Sequence, residues 1–164
     1  MVTNNILDAV NSNFLNANFC YPINSLVDYS SKYFSNRNYN VDSKGIIEAR
    51  KSILKYYHLN SNQVDNIFIT ASTSESYLNI LSNIANEGEV LFPNPSYPLF
   101  EYLSKYSNTK YKYYNLLNEN NNFDLESLRL SITSNTKAIV VISPNNPMGT
   151  VLSKIELKEI IKIC

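Results

Sequence analysis

The chain is 164 residues long, 44% hydrophobic and 17% charged, with 14 basic and 14 acidic side chains. That length suits one core-bearing domain, and that composition excludes a disordered or fibrous chain. Balanced charge gives no long-range pull on nucleic acid or anionic lipid, and no apolar run is long enough to cross a bilayer, so neither is expected as a partner. The opening MVTNNILDAVNSNF lacks the basic flank and apolar block of a signal peptide, which makes the cytoplasm the expected location.

Residues 1–43 read as irregular and aromatic. Cys20 stands between Phe19 and Tyr21, where a buried thiol is expected, and it forms no metal or redox spacing with Cys164. From Gly45 onward Ile46, Ile47, Ala49, Ile53, Leu54 and Tyr57 recur at helical spacing. His58, the one histidine, closes that pattern without a partner constellation, so it reads as a helix-end residue. Residues 67–70 (IFIT) predict a short buried strand, followed by a helix carrying Tyr77, Leu78, Leu81, Ile84 and Ala85 and stopped by Gly88 in a left-handed conformation. The alternation continues with a strand at 89–92, a turn and helix over 95–106 and a strand at 109–114. A helix at 125–132, a strand at 137–142 (KAIVVI) and a helix at 153–163 complete it.

Strands alternating with helices predict an α/β fold with parallel crossovers. Ligands in such folds gather beyond the carboxyl ends of the strands. That draws attention to the segments after Thr70, Phe92 and Ile142.

Each segment has a structural and a chemical reading. In TASTSES, Ser72 serves as an N-cap with Glu75 as its capping-box partner, and a helix start with clustered hydroxyls is also a phosphate cup. In PNPSYP, prolines rigidify a turn, and they also fix Tyr97 where it can stack on a flat ligand for about 0.5–1.5 kcal/mol beyond burial. In SPNNPMGT, an Asn-Pro turn ends a strand, and a locked turn can also aim an asparagine amide at a ligand oxygen.

Taken in this order, ITASTSES, EGEVLFPNPSYPLFEY and VVISPNNPMGT resemble the class I/II aminotransferases of fold type I over roughly residues 39–155. The resemblance implies a three-layer α/β sandwich with a mostly parallel sheet, of which 44–164 would form part of the large cofactor-binding domain. Residues 1–43 would be an N-terminal arm and substrate-side segment. The implied cofactor is pyridoxal 5'-phosphate, its phosphate held by Ser72, Thr73 and Ser74. Tyr97 would stack on its ring and Asn146 would donate to its phenolic oxygen. Tyr39, in YNVDSKG, matches a tyrosine that reaches a partner subunit's phosphate, so a homodimer is implied, with amino acid and 2-oxo acid substrates. An equally plain reading packs Tyr39 under the first helix.

The family's chemistry needs a Schiff-base lysine. None of the Ser-Lys pairs (Lys32, Lys44, Lys105 and Lys154) has the expected serine three residues before its lysine. Arg37, Arg50 and Arg129 match no substrate clamp. No catalytic residue is therefore assigned, and the sequence reads as an N-terminal fragment that is inactive alone. A non-catalytic remnant, one part of a split enzyme and a C–S lyase relative remain as alternatives. A nucleotide-binding protein is disfavoured, because no G-x-G-x-x-G follows a strand.

Overall fold

The computed structural model describes residues 20, 22–35 and 42–164. Tyr39 and most of residues 1–43 lie outside them. The chain divides into two compact units, Met1–Asp42 and Ser43–Cys164. In the first, α1 (Ile23–Ser35) buries none of its residues, and Lys32 and Asp28 pair one turn apart at 2.7 Å. Cys20 is exposed, correcting the expectation of a buried thiol. The described part of this unit builds no apolar layer that could enclose it.

The second unit opens on Gly45, whose φ of +91° and whose 2.8 Å gap from a built Cβ to Ile69 Cβ both require glycine. Helix α2 (Ile47–Tyr56) follows and buries Arg50 and Leu54. Arg50 donates through Nε to Gly45 O at 2.9 Å and through Nη1 to Val64 O at 3.1 Å. Those bonds tie α2 to the 3-10 turn Ser61–Asn66. His58 sits past the helix end at φ 54°, exposed, as a helix-end residue should.

Three parallel strands form the sheet: β1 (Glu89–Asn94), β2 (Lys110–Asn115) and β3 (Thr136–Ile139), in the order β2-β1-β3. Four helices cover it: α3 (Thr73–Ile84), α4 (Leu99–Tyr106), α5 (Leu125–Ser131) and α6 (Lys154–Ile163). Residues Val90–Pro93 of the central strand form an unbroken, buried apolar run, as a strand covered on both faces demands. Leu91 points into a cluster with Tyr114, Leu116, Phe123, Leu128 and Ile160, which includes side chains of α5 and α6. Its neighbours Val90 and Phe92 point the other way, onto Leu81 of α3 and Phe100 of α4. Alternation along one strand thus builds both cores and yields a three-layer α/β sandwich.

Sequence expectation and structure part at several places. Residues 67–70 are extended but belong to no sheet among the described residues. Ile69 N–H donates to Lys44 O at 2.9 Å, and Phe68 is 63% exposed. The segment has strand-forming composition but no adjacent strand to pair with. Gly88 does not adopt a left-handed conformation; the glycines with positive φ are Gly45 and Gly149. Gly88 is needed instead for close approach, because a Cβ there would meet the Asn135 carbonyl and lie 2.7 Å from Lys137 Cγ. The KAIVVI segment pairs as a strand only from Thr136 to Ile139, half-buried rather than fully buried, because among the described residues β3 has a neighbour on one side alone. Val140 prolongs the pairing by donating to Leu91 O at 2.9 Å.

Candidate cofactor site

Parallel neighbours leave the sheet at the same edge. Strand β1 ends at Asn94 and leads to Tyr97, while β3 and Val140 lead to the 143–150 turn. Helix α3 runs back along β1: its Leu81 packs with Val90, and its Tyr77 lies edge-on to Phe100, 4.7 Å between ring centres. Since the α3 C-terminus feeds the start of β1, the α3 N-terminus lies toward the carboxyl end of the strands. The three segments singled out in the sequence therefore all lie toward the carboxyl ends of the strands.

At the first, Ser72 is the N-cap in extended geometry, and its Oγ accepts from Ser74 N–H at 3.2 Å. Thr70 Oγ1 donates to Ser72 O at 2.8 Å and lies 2.7 Å from Ser76 Oγ, which closes the turn. Glu75 does reach back, but its carboxylate accepts from Ala71 N–H rather than from the Ser72 N–H that a regular capping box would use. Among the described residues nothing accepts from the N–H groups of Ser72 and Thr73. Ser72 and Thr73 are exposed and Ser74 half-buried. A helix start with open amides and hydroxyls in this state suits an oxyanion.

At the second, the Tyr97 ring is 43% exposed and held edge-on against Phe100, with ring centres 6.1 Å apart. A cavity of about 260 Å³ beside it is lined by Asn94, Pro95, Ser96, Tyr97, Glu101 and Tyr113. Tyr113 OH donates to Glu101 Oε1 at 2.6 Å. Burial, with the adjacent Glu101 carboxylate, pushes the Tyr113 phenol above its ordinary range.

At the third, the turn is built by a residue the sequence reading passed over. Asn145 is 5% exposed; its backbone N–H donates to Thr150 O at 2.8 Å, and its O accepts from Gly149 N–H at 2.7 Å. Asn145 Oδ1 also takes Met148 N–H at 3.1 Å. Asn145 is thus the anchor, and Asn146 is the exposed amide presented by it. The sequence signal was the doubled asparagine before proline, which does not say which member faces inward.

At the opposite edge an ion pair ties the strand starts. Glu89, buried at the start of β1, meets Lys112 Nζ at 3.0 Å and Thr133 Oγ1 at 2.8 Å, and so clamps the strand starts together. Burial pushes its carboxyl up, but the hydrogen bonds of Lys112, Thr133 and Thr136 and the Lys112 charge outweigh that and hold it below its ordinary value. Among the described residues no group of three or more His, Cys, Asp or Glu could hold a metal ion, and no helix is long and apolar enough to cross a membrane.

In α/β sheets of this kind, ligands bind beyond the carboxyl ends of the strands. The family pattern described as aminotransferase class I and II matches residues 12–164. This chain belongs to the class I and II aminotransferases. It is 38% identical over 128 residues to a glutamate-pyruvate aminotransferase of Escherichia coli, covering 74% of this chain and 31% of that protein. It is 37% identical to a tyrosine aminotransferase of Dictyostelium discoideum, covering 74% of this chain and 30% of the relative. An Escherichia coli aminotransferase structure superimposes with a TM-score of 0.78 at 34% identity, over 91% of this chain and 38% of the other. The chain therefore spans about a third of the length of the curated relatives it matches.

Proposed function

We propose that this chain forms the cofactor-cradling part of a pyridoxal-phosphate-dependent aminotransferase, which moves an amino group between an amino acid and a 2-oxo acid. What supports the reading is that the α3 start, the Tyr97 turn and the Asn146 turn all lie toward the carboxyl ends of the strands, where such folds bind ligands. The donor set fits the group. Open amides at Ser72 and Thr73, with the hydroxyls of Ser72, Thr73 and Ser74, suit a dianionic phosphate. Tyr97, braced by Phe100, offers a ring face to a flat heterocycle. Asn146 offers an exposed amide donor to a phenolic oxygen, on a turn kept rigid by Asn145. When bound, the cofactor supplies an electron sink for the bonds around the amino acid's α-carbon.

No residue in these 164 supplies the family's Schiff-base lysine in its expected serine-lysine context, so the chain by itself holds the cofactor without acting on a substrate. The relatives are named for glutamate with pyruvate, for tyrosine and for aspartate, which supports an amino acid substrate without choosing one. Assembly as a homodimer, with Tyr39 serving the partner's phosphate, and a cytoplasmic location follow from the same reading.

Equilibrium titration with pyridoxal phosphate, followed by borohydride reduction and peptide mapping, tests this. Saturable binding weakened by Ser72→Ala and by Tyr97→Ala, without one stoichiometrically labelled lysine and without transaminase activity, is expected. Binding indifferent to both substitutions, or a single trapped lysine, would overturn it.

A further inference from the structure

Among the described residues the Tyr97 ring is braced by one aromatic neighbour, Phe100, edge-on at 6.1 Å. The Tyr97 carbonyl also accepts from Phe100 N–H, at 3.1 Å. Elsewhere the ring borders the cavity of about 260 Å³ that it shares with Ser96, Glu101 and Tyr113. The direction of the ring therefore follows the first turn of α4, which carries both Phe100 and Glu101. Inside, that turn is anchored by buried Phe100, which stacks on Phe92 of β1 with ring centres 5.0 Å apart. Outside, Glu101 Oε1 accepts from Tyr113 OH at 2.6 Å. Tyr113 stands opposite Phe92 in the β1–β2 register, so this bond reaches α4 from the strand beside its anchor. The other Glu101 oxygen lies 3.7 Å from Lys105 Nζ, one turn along the same helix, and that pair gives no hold on the sheet. One buried ring leaves a short helix free to tilt about it, and a second tie removes that freedom.

We propose that Tyr113 is a positioning residue: through Glu101 it fixes the tilt of the α4 start, and so the angle at which Tyr97 presents its ring to the cofactor. This rests on the cofactor reading above. Stacking on a flat ring is worth about two- to tenfold in affinity, which is the ceiling on what Tyr113 can contribute through Tyr97. Tyr113→Phe removes the bond and keeps the ring beside Phe92. Glu101→Gln keeps an acceptor for Tyr113 OH but removes the charge that strengthens the bond.

The probe is pyridoxal phosphate, titrated into the full chain and its variants, with the Tyr97–Phe100 ring contact read by nuclear Overhauser effects before ligand is added. Tyr113→Phe should weaken binding about threefold and weaken the ring contact, while the urea midpoint hardly moves because the lost bond is exposed. Glu101→Gln should fall between Tyr113→Phe and the unmodified chain. On a Tyr97→Ala background, Tyr113→Phe should weaken binding no further, since the ring it acts through is gone. Unchanged affinity and an unchanged ring contact in Tyr113→Phe overturn the positioning role and leave the cofactor reading standing. The same threefold loss on the Tyr97→Ala background also overturns it, because Tyr113 then acts by another route. No saturable binding in any chain defeats the cofactor reading and this proposal with it.

Discussion

Replacing Gly88 by alanine tests the packing between α3 and the sheet. The residue sits in the connection that ends at β1, and its φ is not in the left-handed region. The obstacle is therefore contact, not backbone conformation. An added Cβ meets the Asn135 carbonyl oxygen, lies 2.7 Å from Lys137 Cγ and 3.2 Å from Asn135 C. The lysine stem can move; the carbonyl cannot move without loosening the 2.9 Å bond it accepts from Glu89 N–H. Overpacking against a fixed group costs about 1–3 kcal/mol, and weakening that hydrogen bond adds about 1 kcal/mol. Reduced freedom of the unfolded chain returns about 0.4–1 kcal/mol. The expected net loss is roughly 1–3.5 kcal/mol. Gly149→Ala is the matched control: its built Cβ meets nothing within 4 Å, and its φ of +69° is the whole penalty, about 1 kcal/mol. Urea unfolding followed by tyrosine fluorescence is suitable, since the chain has 13 tyrosines and no tryptophan. Gly88→Ala as stable as the parent, or less damaging than Gly149→Ala, would refute the close-approach argument.

Other outcomes follow from the same contacts. Glu89 titrates below its ordinary value of 4.5 in the fold, so the unfolded chain binds the proton more readily. Its contribution is present above the unfolded value and is lost as pH falls through the folded one; Glu89→Gln should flatten stability against pH in that acid window. Asn145→Ala should lower stability by about 1 kcal/mol through loss of the Met148 N–H bond. Asn146→Ala, at an exposed position, should change stability by under about 0.5 kcal/mol yet weaken pyridoxal phosphate binding; equal stability effects at the two positions would contradict their assigned roles. Leu128→Ala, at a fully buried position, should cost about 2–5 kcal/mol in the same urea assay.

The sheet and its helices were legible because periodicity reports burial directly. The EVLF run fits a strand covered on both faces, and the Tyr77, Leu81, Ile84 spacing fits the buried side of α3. What failed were features set by partners remote in sequence. Residues 67–70 have strand composition, but pairing needs a neighbouring strand, which composition cannot supply. Gly88 looked like a helix stop because glycine after a helix usually is one, whereas its reason lies across the fold at Asn135. Around the proposed site, the exposed hydroxyls at the α3 start and the half-exposed Tyr97 were readable as residue types in connecting segments. The inward role of Asn145 was not, since two adjacent asparagines carry the same local signal and only the turn's hydrogen bonds distinguish them.

The central claim is that one sheet edge gathers the groups that hold the cofactor. Backbone amide shifts of the chain titrated with pyridoxal phosphate test it most directly. The account predicts that Ser72, Thr73, Ser74, Tyr97 and Asn146 shift together along one saturation curve, while Gly88, Glu89 and Asn135 at the opposite edge stay still. Shifts confined to the opposite edge, or separate curves for the three loops, would contradict it.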